Sequence, residues 1–455
     1  MSTQWSRRAF VGGMTAAGLV GPRAVHAKGG KGAPDVVFIL VDQLRAHALS
    51  LYGEVNIETP VLDGLLLSGA HFPRSYSSNP VCAPARASLL TGLYAHAHGV
   101  TRNGIQLPLK TRTLSAAFFK AGYETGYIGK WHLDAVKEHP GFVPKKRRFD
   151  HEYWAAYNSA HYWKKSGYFR DTPELIRPEP ADTWEPEYQV DLALDFMAKR
   201  RERPFYLTVS FGPPHPPGAG DTHPWQDHVP AAFWNQVDPD ALTFRGNVPS
   251  ELTKKGGAAV EHMHGYYASI LALENSLARL LEGVPDDALV VLTADHGEMG
   301  GSHGAFKKGS PHDEAVRVPL GFRWKDQIAP NTKIGVPVSS VDVMPTLLNL
   351  AGVKAPRRLH GLDLSDWLVG TAGPEREGVL IQGRMGRKDA WRMMRTRTHI
   401  WSETVNGKDR RLYDTREDPL QQNNLVEVPK SRGLVEQMEG EMAQMLKKFK
   451  DKKTV

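Results

Sequence analysis

Long apolar runs along the chain predict strands that are buried on both faces. Such strands show continuous runs rich in β-branched residues, whereas half-exposed strands alternate apolar with polar positions. Runs of the continuous kind predict parallel strands at 35–41, 123–128, 205–211 and 288–293. Helical spacing of apolar residues predicts helices between these strands, at 59–68, 86–94, 113–121, 190–200 and 262–281. The alternation indicates an α/β fold, a doubly wound and mostly parallel sheet with helices on both faces.

The pattern changes after Gly373. Short runs predict strands at 378–382, 391–396 and 399–401, and helical spacing predicts a final amphipathic helix at 434–448. This arrangement is typical of a small antiparallel sheet with one covering helix. We therefore predict a large α/β domain over 33–372 and a smaller C-terminal α+β domain over 373–455.

Each strand predicted for the large domain is followed by side chains that can do chemistry. In an open α/β sheet, ligands bind beyond the carboxyl ends of the strands, so residues at these ends meet at one edge. The sequence therefore predicts one functional site assembled from strand ends, at Asp42, Gln43, Lys130, His132, His215, Asp295 and His296.

The segment 149–188 is rich in aromatic residues and poor in strand or helix signals. It is too long for an ordinary connection. It is either a substrate lid whose rings contact a sugar or aryl group, or an insertion whose rings seal an edge of the core. Trp154, Tyr157, Trp163 and Trp184 belong to it.

The residue pattern at the N-terminus predicts an export signal. Arg7 and Arg8 precede a run of small and apolar residues, which is typical of a twin-arginine signal peptide over 1–27. The run is shorter than the roughly 20 residues that span a bilayer, so we expect no integral membrane anchor. We predict a periplasmic or secreted protein exported in the folded state.

Charge and composition then narrow the function. The chain has 455 residues, and its formal charge of +7 falls to +4 once Arg7, Arg8 and Arg23 leave with the signal. The basic residues form no patch interleaved with aromatic residues, so we expect no nucleic-acid partner. The chain has one cysteine and can form no internal disulfide.

That cysteine, Cys82, lies at a predicted helix start. Pro84 suits the first turn and Gly92 suits the end of the helix. Backbone N–H groups at a helix start favour anions and lower the pKa of a thiol, and Arg86 follows one turn later. The plainer alternative is a small buried apolar side chain.

Several motifs resemble the sulfatase family, in order and over nearly the whole chain. Residues 82–86 match its C-x-P-x-R signature, residues 129–133 its second signature, and residues 293–298 with 303–309 its metal and lysine segment. Further landmarks follow at 317–320, 340–346, 412–414 and 417–419. The resemblance implies the alkaline-phosphatase-like α/β fold with a smaller C-terminal four-stranded sheet.

The resemblance also implies a mechanism. A maturation enzyme oxidises Cys82 to formylglycine (3-oxoalanine), whose hydrate attacks the sulfur of a sulfate ester and later expels sulfate. The resemblance also implies that Arg86 holds formylglycine and that Lys130 and Lys308 bind sulfate. It implies that His132 is a base, and that His215 donates a proton to the leaving oxygen or contacts sulfate.

The same resemblance places a divalent metal at Asp42, Gln43, Asp295 and His296, together with the modified Cys82. Hard oxygen donors suit Ca²⁺, which is our first choice. Many sulfatases have Asp and Asn where this chain has Gln43 and His296, and an imidazole donor leaves Mn²⁺ or Mg²⁺ as alternatives. Gln43 is either a direct ligand or a hydrogen-bond partner of one.

We therefore predict a sulfuric ester hydrolase that acts on a sulfated small molecule or, given the aromatic segment, a sulfated saccharide. The alternatives are a phosphonate monoester or phosphodiester hydrolase on the same scaffold, a catalytically silent glycan-binding protein, and a hydrolase that uses the thiolate directly. No role is predicted for His96, His98, His262, His264, His303 or His312.

Overall fold

A computed structural model describes residues 32–135, 139–218 and 225–452. The predicted signal peptide over 1–27 lies outside these ranges. No helix within them is both long and apolar enough to cross a membrane.

The strands, numbered in chain order, are β1 Val36–Asp42, β2 Ala70–His71, β3 Ser75–Tyr76, β4 Glu124–Lys130, β5 Tyr153–Tyr157, β6 Phe205–Pro214, β7 Leu289–Ala294, β8 Leu320–Arg323, β9 Thr332–Lys333, β10 Val338–Ser339, β11 Gly378–Gly383, β12 Trp391–Thr396, β13 His399–Thr404 and β14 Arg410–Asp414. The α-helices are α1 Pro60–Leu67, α2 Cys82–Thr91, α3 Ala95–His98, α4 Leu114–Lys120, α5 Glu185–Met197, α6 Trp225–His228, α7 Ala231–Trp234, α8 Ala258–Glu282, α9 Asp313–Val316, α10 Val343–Leu350, α11 Ser365–Leu368 and α12 Arg432–Phe449.

The main sheet places β1 at its centre. Its strand order is β5-β4-β6-β1-β7-β8-β2-β9, and the neighbours from β5 to β7 all run parallel. β8 pairs antiparallel with both β7 and β2. The predicted fold class, a mostly parallel sheet covered on both faces, is confirmed.

Alternate residues of β1 fill two apolar layers. Val36, Phe38 and Leu40 pack with residues of α2, α4 and α10, and the intervening Val37, Ile39 and Val41 pack with residues of α1, α5 and α8. Every residue of β1 is buried. This two-sided burial explains why the strand appears in the sequence as a continuous apolar run.

The strands and helices predicted for the large domain are confirmed within a few residues, but several further elements were not predicted, among them β2, β9 and α10. β8 was not predicted, because it is short. β5 lies inside the aromatic segment 149–188, where few strand signals were found, and pairs parallel with β4 at the end of the sheet.

The aromatic rings of that segment seal the core. Trp154, Tyr157, Trp163 and Trp184 are each no more than 3% exposed. Trp154 contacts the ring of Tyr127 on β4 and the ring of Trp131, the residue directly after β4. These four rings are therefore not available as a stacking platform for a sugar, which removes the lid interpretation for them.

The predicted C-terminal antiparallel sheet is confirmed, and it has a fourth strand, β14, for which no separate run was identified. β11 to β14 pair in sequence, each antiparallel to the next. Val435, Met438, Met442 and Leu446 of α12 pack against its apolar residues. A buried ion pair follows the helix, because Asp451 accepts a hydrogen bond of 3.0 Å from Nη2 of Arg392 on β12.

We predict that Asp451→Asn lowers the free energy of unfolding by about 3 kcal/mol, since it leaves the Arg392 guanidinium buried without its counter-charge. Chemical denaturation followed by circular dichroism measures this. Asp286→Asn is the matched control, because Asp286 pairs with Lys325 at the surface and is 88% exposed; we expect a much smaller loss of stability from it, since solvent screens this pair. Equal effects of the two variants would contradict the structural role of the buried pair.

Candidate active site

Four strand ends and one helix start meet at the carboxyl edge of the main sheet. Asp42 ends β1, Lys130 ends β4, His215 directly follows β6, and Asp295 directly follows β7. Donor atoms of Asp42, Cys82, Asp295 and His296 all lie within 4.8 Å of one another, and all four residues are buried. The structure therefore brings together the residues that the strand ends predicted, and it adds Cys82 to them.

Cys82 is the first residue of α2, as the position of Pro84 indicated, whereas apolar spacing alone placed the helix start at residue 86. Pro84 lies in the first turn, and Gly92 caps the helix with a left-handed backbone, φ 65°. Sγ of Cys82 lies 3.1 Å from Nε2 of His296. Burial alone would raise the pKa of this thiol, but the ammonium groups of Lys308 and Lys130 and the imidazole of His296 outweigh it and hold the pKa well below its ordinary value.

Arg86 lies one turn further along α2 and joins the two carboxylates of the site. Its Nε donates to Asp295 at 3.0 Å, and its Nη2 lies 3.5 Å from Asp42. Its Nη1 donates to the carbonyl of Lys130 and the hydroxyl of Ser210, both at 2.7 Å. The guanidinium therefore compensates two fully buried negative charges and fixes the ends of β4 and β6 beside them.

Lys130 enters the site from the end of β4. Gly129 precedes it with φ 99°, and a Cβ there would lie 2.1 Å from the carbonyl oxygen of Ser210, so this close approach of β4 to β6 requires glycine. The Lys130 ammonium binds the Asp42 carboxylate. Burial raises the pKa of Asp42, but Lys130, His215 and Arg86 together lower it more, and the net pKa lies below the ordinary value.

Lys308 supplies a second ammonium group near Cys82. Its Nζ donates to Oε1 of Gln43 at 2.6 Å and to Nε2 of His215 at 2.6 Å. The neighbouring residue, Lys307, is also a lysine, and its backbone N–H donates to Glu298 at 2.7 Å. The structure thus directs the side chain of Lys308 into the site, as the spacing of the motif indicated.

His132 and His215 are both neutral at neutral pH. Burial lowers the pKa of each to about 4, opposed for His132 by its hydrogen bond to Cys82 and reinforced for His215 by the charge of Lys308. Nδ1 of His215 contacts the carbonyl of Pro216 at 2.8 Å, which makes Nδ1 the donor and leaves Nε2 to accept from Lys308.

Sequence reasoning missed His161 and gave Glu298 no role. Nε2 of His161 lies 3.0 Å from Nζ of Lys130, and its ring stacks on that of His215 at 4.0 Å. Glu298 accepts a hydrogen bond from Nε2 of Gln43. No local sequence pattern marks His161, because it reaches the site only through the folding of the aromatic segment. The position of Glu298, three residues after Asp295, could have indicated that it lies near the site.

Of the histidines without a predicted role, His262 lies next to this site. Its Nε2 is 3.2 Å from Oε1 of Glu298. The others contact groups elsewhere: His96 the carbonyl of Phe449, His98 the hydroxyl of Ser88, His264 the carbonyl of Trp234, and His303 the ring of His312.

The donor set fits a divalent cation. Two buried carboxylates, an imidazole and the amide oxygen of Gln43 are available, and these are common ligands of Ca²⁺, Mg²⁺ and Mn²⁺. Nδ1 of His296 contacts the carbonyl of Gly297 at 3.0 Å, so Nε2 is the nitrogen that points toward Asp42 and Asp295. Such a backbone contact is the usual way in which a ligating imidazole is oriented.

Comparisons with known proteins agree with this geometry. The sequence model of the sulfatase family matches residues 34–353, and the model named N-sulphoglucosamine sulphohydrolase, C-terminal, matches residues 301–448. An ulvan-active sulfatase of Formosa agariphila is 31% identical over 435 residues, which cover 92% of this chain and 82% of that protein.

Solved structures share the whole fold. A crystal structure of the YidJ protein from Bacteroides fragilis superposes with a TM-score of 0.83 at 27% identity and covers 94% of this chain and 98% of its own. A structure solved with its substrate D-glucosamine-2-N,6-O-disulfate superposes with a TM-score of 0.76 at 22% identity, over 92% of this chain and 99% of its own, and shows the shared fold. The chain therefore has the alkaline-phosphatase-like fold, belongs to the sulfatase family, and is a sulfuric ester hydrolase.

Proposed function

We propose that this hydrolase cleaves the sulfate ester of a sulfated saccharide, with a formylglycine derived from Cys82 as nucleophile and a divalent cation beside it. One observation carries the proposal: Cys82 is buried at the head of α2, next to the cluster of Asp42, Asp295 and His296, and Lys130 and Lys308 lower its pKa. The C-x-P-x-R signature at 82–86 supports the conversion to formylglycine.

Conversion of Cys82 changes the charge of the site in favour of an anionic substrate. A hydrated aldehyde supplies a neutral hydroxyl that attacks sulfur. With the thiolate gone, three cationic side chains, Arg86, Lys130 and Lys308, face the two carboxylates of Asp42 and Asp295. The site then prefers an anion such as the sulfate ester, and more strongly when a cation is bound.

The proposed metal ligands are Asp42, Asp295, His296 and the amide oxygen of Gln43, with Ca²⁺ as first choice and Mn²⁺ or Mg²⁺ as alternatives. A divalent cation held there acts as a Lewis acid on a sulfuryl oxygen.

The remaining side chains bind the sulfuryl group and move protons. Lys130 and Lys308 contact its oxygens. Lys308 and His215 share a proton between Nζ and Nε2, and this pair lies where it can protonate the leaving oxygen. His132, neutral at neutral pH and hydrogen-bonded to residue 82, can accept a proton from a hydroxyl on that residue.

The small sheet completes a cleft beside Lys308 that suits a saccharide. The cleft has a volume of about 320 Å³, and Lys308, Arg384, Trp391 and Arg411 line part of it. Its arginine and lysine side chains can donate hydrogen bonds to the anionic groups of a sulfated sugar. The solved relative with D-glucosamine-2-N,6-O-disulfate as its substrate supports the same class.

We propose export by the twin-arginine route to the periplasm or the medium, on the strength of Arg7, Arg8 and the apolar run that follows them. Maturation of Cys82 by a formylglycine-generating enzyme before folding, followed by transport of the folded chain, is consistent with that route.

We predict that intact-mass analysis of the exported protein finds an aldehyde at residue 82 and a chain that begins after Ala27. Cys82→Ala then lowers kcat/KM by roughly 10⁴-fold or more, since it removes the nucleophile, and thiol alkylation leaves the unsubstituted enzyme active. A free thiol in a fully active, alkylation-sensitive enzyme would instead show a thiolate hydrolase. A Cys82→Ala variant that binds glycans, with no turnover in the parent protein, would show a silent binding protein.

We predict that chelation abolishes turnover and lowers the melting temperature, because the cation binds only the folded state. Added Ca²⁺ at about 100 times its Kd stabilises by about 2.7 kcal/mol, and we expect it to restore activity better than Mn²⁺ or Mg²⁺. Asp295→Asn removes this response, whereas Asp286→Asn, at the surface, retains it. Unchanged activity and melting temperature after chelation would contradict the metal.

We predict turnover of sulfated oligosaccharides with a higher kcat/KM than aryl sulfate, and slower turnover of the corresponding aryl phosphonate. Arg384→Ala raises KM for the saccharide by about fivefold, equivalent to about 1 kcal/mol, and leaves aryl sulfate unchanged. Arg397→Ala is the control, since Arg397 pairs with Glu375 outside this cleft. Preference for the phosphonate would favour the alternative hydrolase, and turnover of aryl sulfates alone would contradict the saccharide assignment.

A further inference from the structure

The side-chain amide of Gln43 lies between a carboxylate and an ammonium group. Its Nε2 donates to Oε2 of Glu298, and its Oε1 accepts from Nζ of Lys308 at 2.6 Å. A carboxylate only accepts hydrogen bonds and an ammonium only donates them, so these two partners permit one orientation of the amide. In that orientation the oxygen points toward Lys308. The backbone N–H of Gln43 donates to Oδ1 of Asp295 at 3.0 Å, so residue 43 adjoins one of the proposed metal ligands.

The two oxygens of Glu298 have separate partners. Oε1 accepts from the backbone N–H groups of Gly300 at 2.8 Å and Lys307 at 2.7 Å, and it lies 3.2 Å from Nε2 of His262. Oε2 faces Gln43. The side chain is completely buried, so these contacts fix which oxygen faces which partner.

We propose that Glu298 is a positioning residue that directs the amide oxygen of Gln43 to the divalent cation and ties this ligand to the loop that carries Lys308. The inference rests on the metal assigned under the proposed function. It also resolves the two roles open to Gln43, because an amide oxygen turned toward the site by this carboxylate acts as a direct ligand.

Replacement of Glu298 by Gln tests the orientation without changing the size of the side chain. The N–H groups of Gly300 and Lys307 keep the remaining oxygen of residue 298 in the place of Oε1. The new amide nitrogen then takes the place of Oε2 and faces Nε2 of Gln43, donor against donor. Gln43 must turn over, and it presents its nitrogen instead of its oxygen to the cation.

A second substitution restores the pattern of donors and acceptors. In the double variant Gln43→Glu with Glu298→Gln, one oxygen of residue 43 accepts from the new amide and the other faces the cation. The same Gln43→Glu change alone sets two carboxylates against each other. The two positions therefore form a double-mutant cycle, in which the double variant reverses the polarity of the contact and keeps the total charge of the two side chains.

The experiment is calorimetric titration of Ca²⁺, and separately of Mn²⁺, into chelator-treated full-length protein. We expect Glu298→Gln to weaken the metal affinity by about 10- to 100-fold, and the double variant to lie within about threefold of the unsubstituted protein. Glu274→Gln is the matched control. Glu274 is a buried carboxylate that accepts the backbone N–H groups of Val61 and Leu62, so its loss affects stability and leaves metal affinity unchanged.

Unchanged affinity in Glu298→Gln, with tight binding by the unsubstituted protein, would overturn this inference and leave the proposed metal intact. No binding by the unsubstituted protein would overturn both. If Glu298→Gln does not fold, the double variant is compared with Gln43→Glu. The proposal expects tighter Ca²⁺ binding by the double variant, and the reverse order would overturn it.

Discussion

The carboxyl edge of the main sheet depends on one interaction, the ion pairs of the Arg86 guanidinium with Asp42 and Asp295. Both carboxylates are completely buried, and a buried charge without a partner destabilises a fold by several kcal/mol. Arg86 reaches both of them and also binds the end of β4 and Ser210 of β6. One side chain from α2 thereby links the carboxyl ends of β1, β4, β6 and β7, and its positive charge favours the ionised form of both carboxylates.

The same interaction explains why residue 82 sits where it does. Arg86 lies one turn after Cys82, so anchoring the guanidinium to Asp295 places the start of α2 over the carboxyl edge of the sheet. The thiol then lies within reach of His296, Lys130 and Lys308. A thiolate at residue 82 would neutralise the positive charge that binds a substrate anion. The neutral formylglycine proposed at this position leaves that charge available to the substrate.

Much of this arrangement could be predicted from the sequence. β1, β6 and β7 are buried on both faces and therefore appear as largely apolar runs, whereas β4 has the mixed sequence Glu-Thr-Gly-Tyr-Ile-Gly-Lys. The rule for ligands at strand ends then brings Asp42, Lys130 and Asp295 to one edge. β5 was missed because its Tyr-Trp-Ala-Ala-Tyr pattern neither alternates nor forms an aliphatic run. The contact of His161 with Lys130 depends on how the segment after β5 folds back over the site, and the orientation of the Gln43 amide depends on partners more than 250 residues away along the chain. Neither leaves a local pattern.

A crystal structure of the Cys82→Ala variant with a sulfated saccharide bound tests the central claim most directly, because binding is then separated from turnover. The account predicts sulfuryl oxygens in contact with Lys130 and Lys308, the bridging oxygen next to the pair of Lys308 and His215, a cation between Asp42, Asp295 and His296, and the sugar in the cleft lined by Arg384 and Trp391. A sulfate group bound away from the two lysines, or a sugar that leaves the cleft empty, would contradict it.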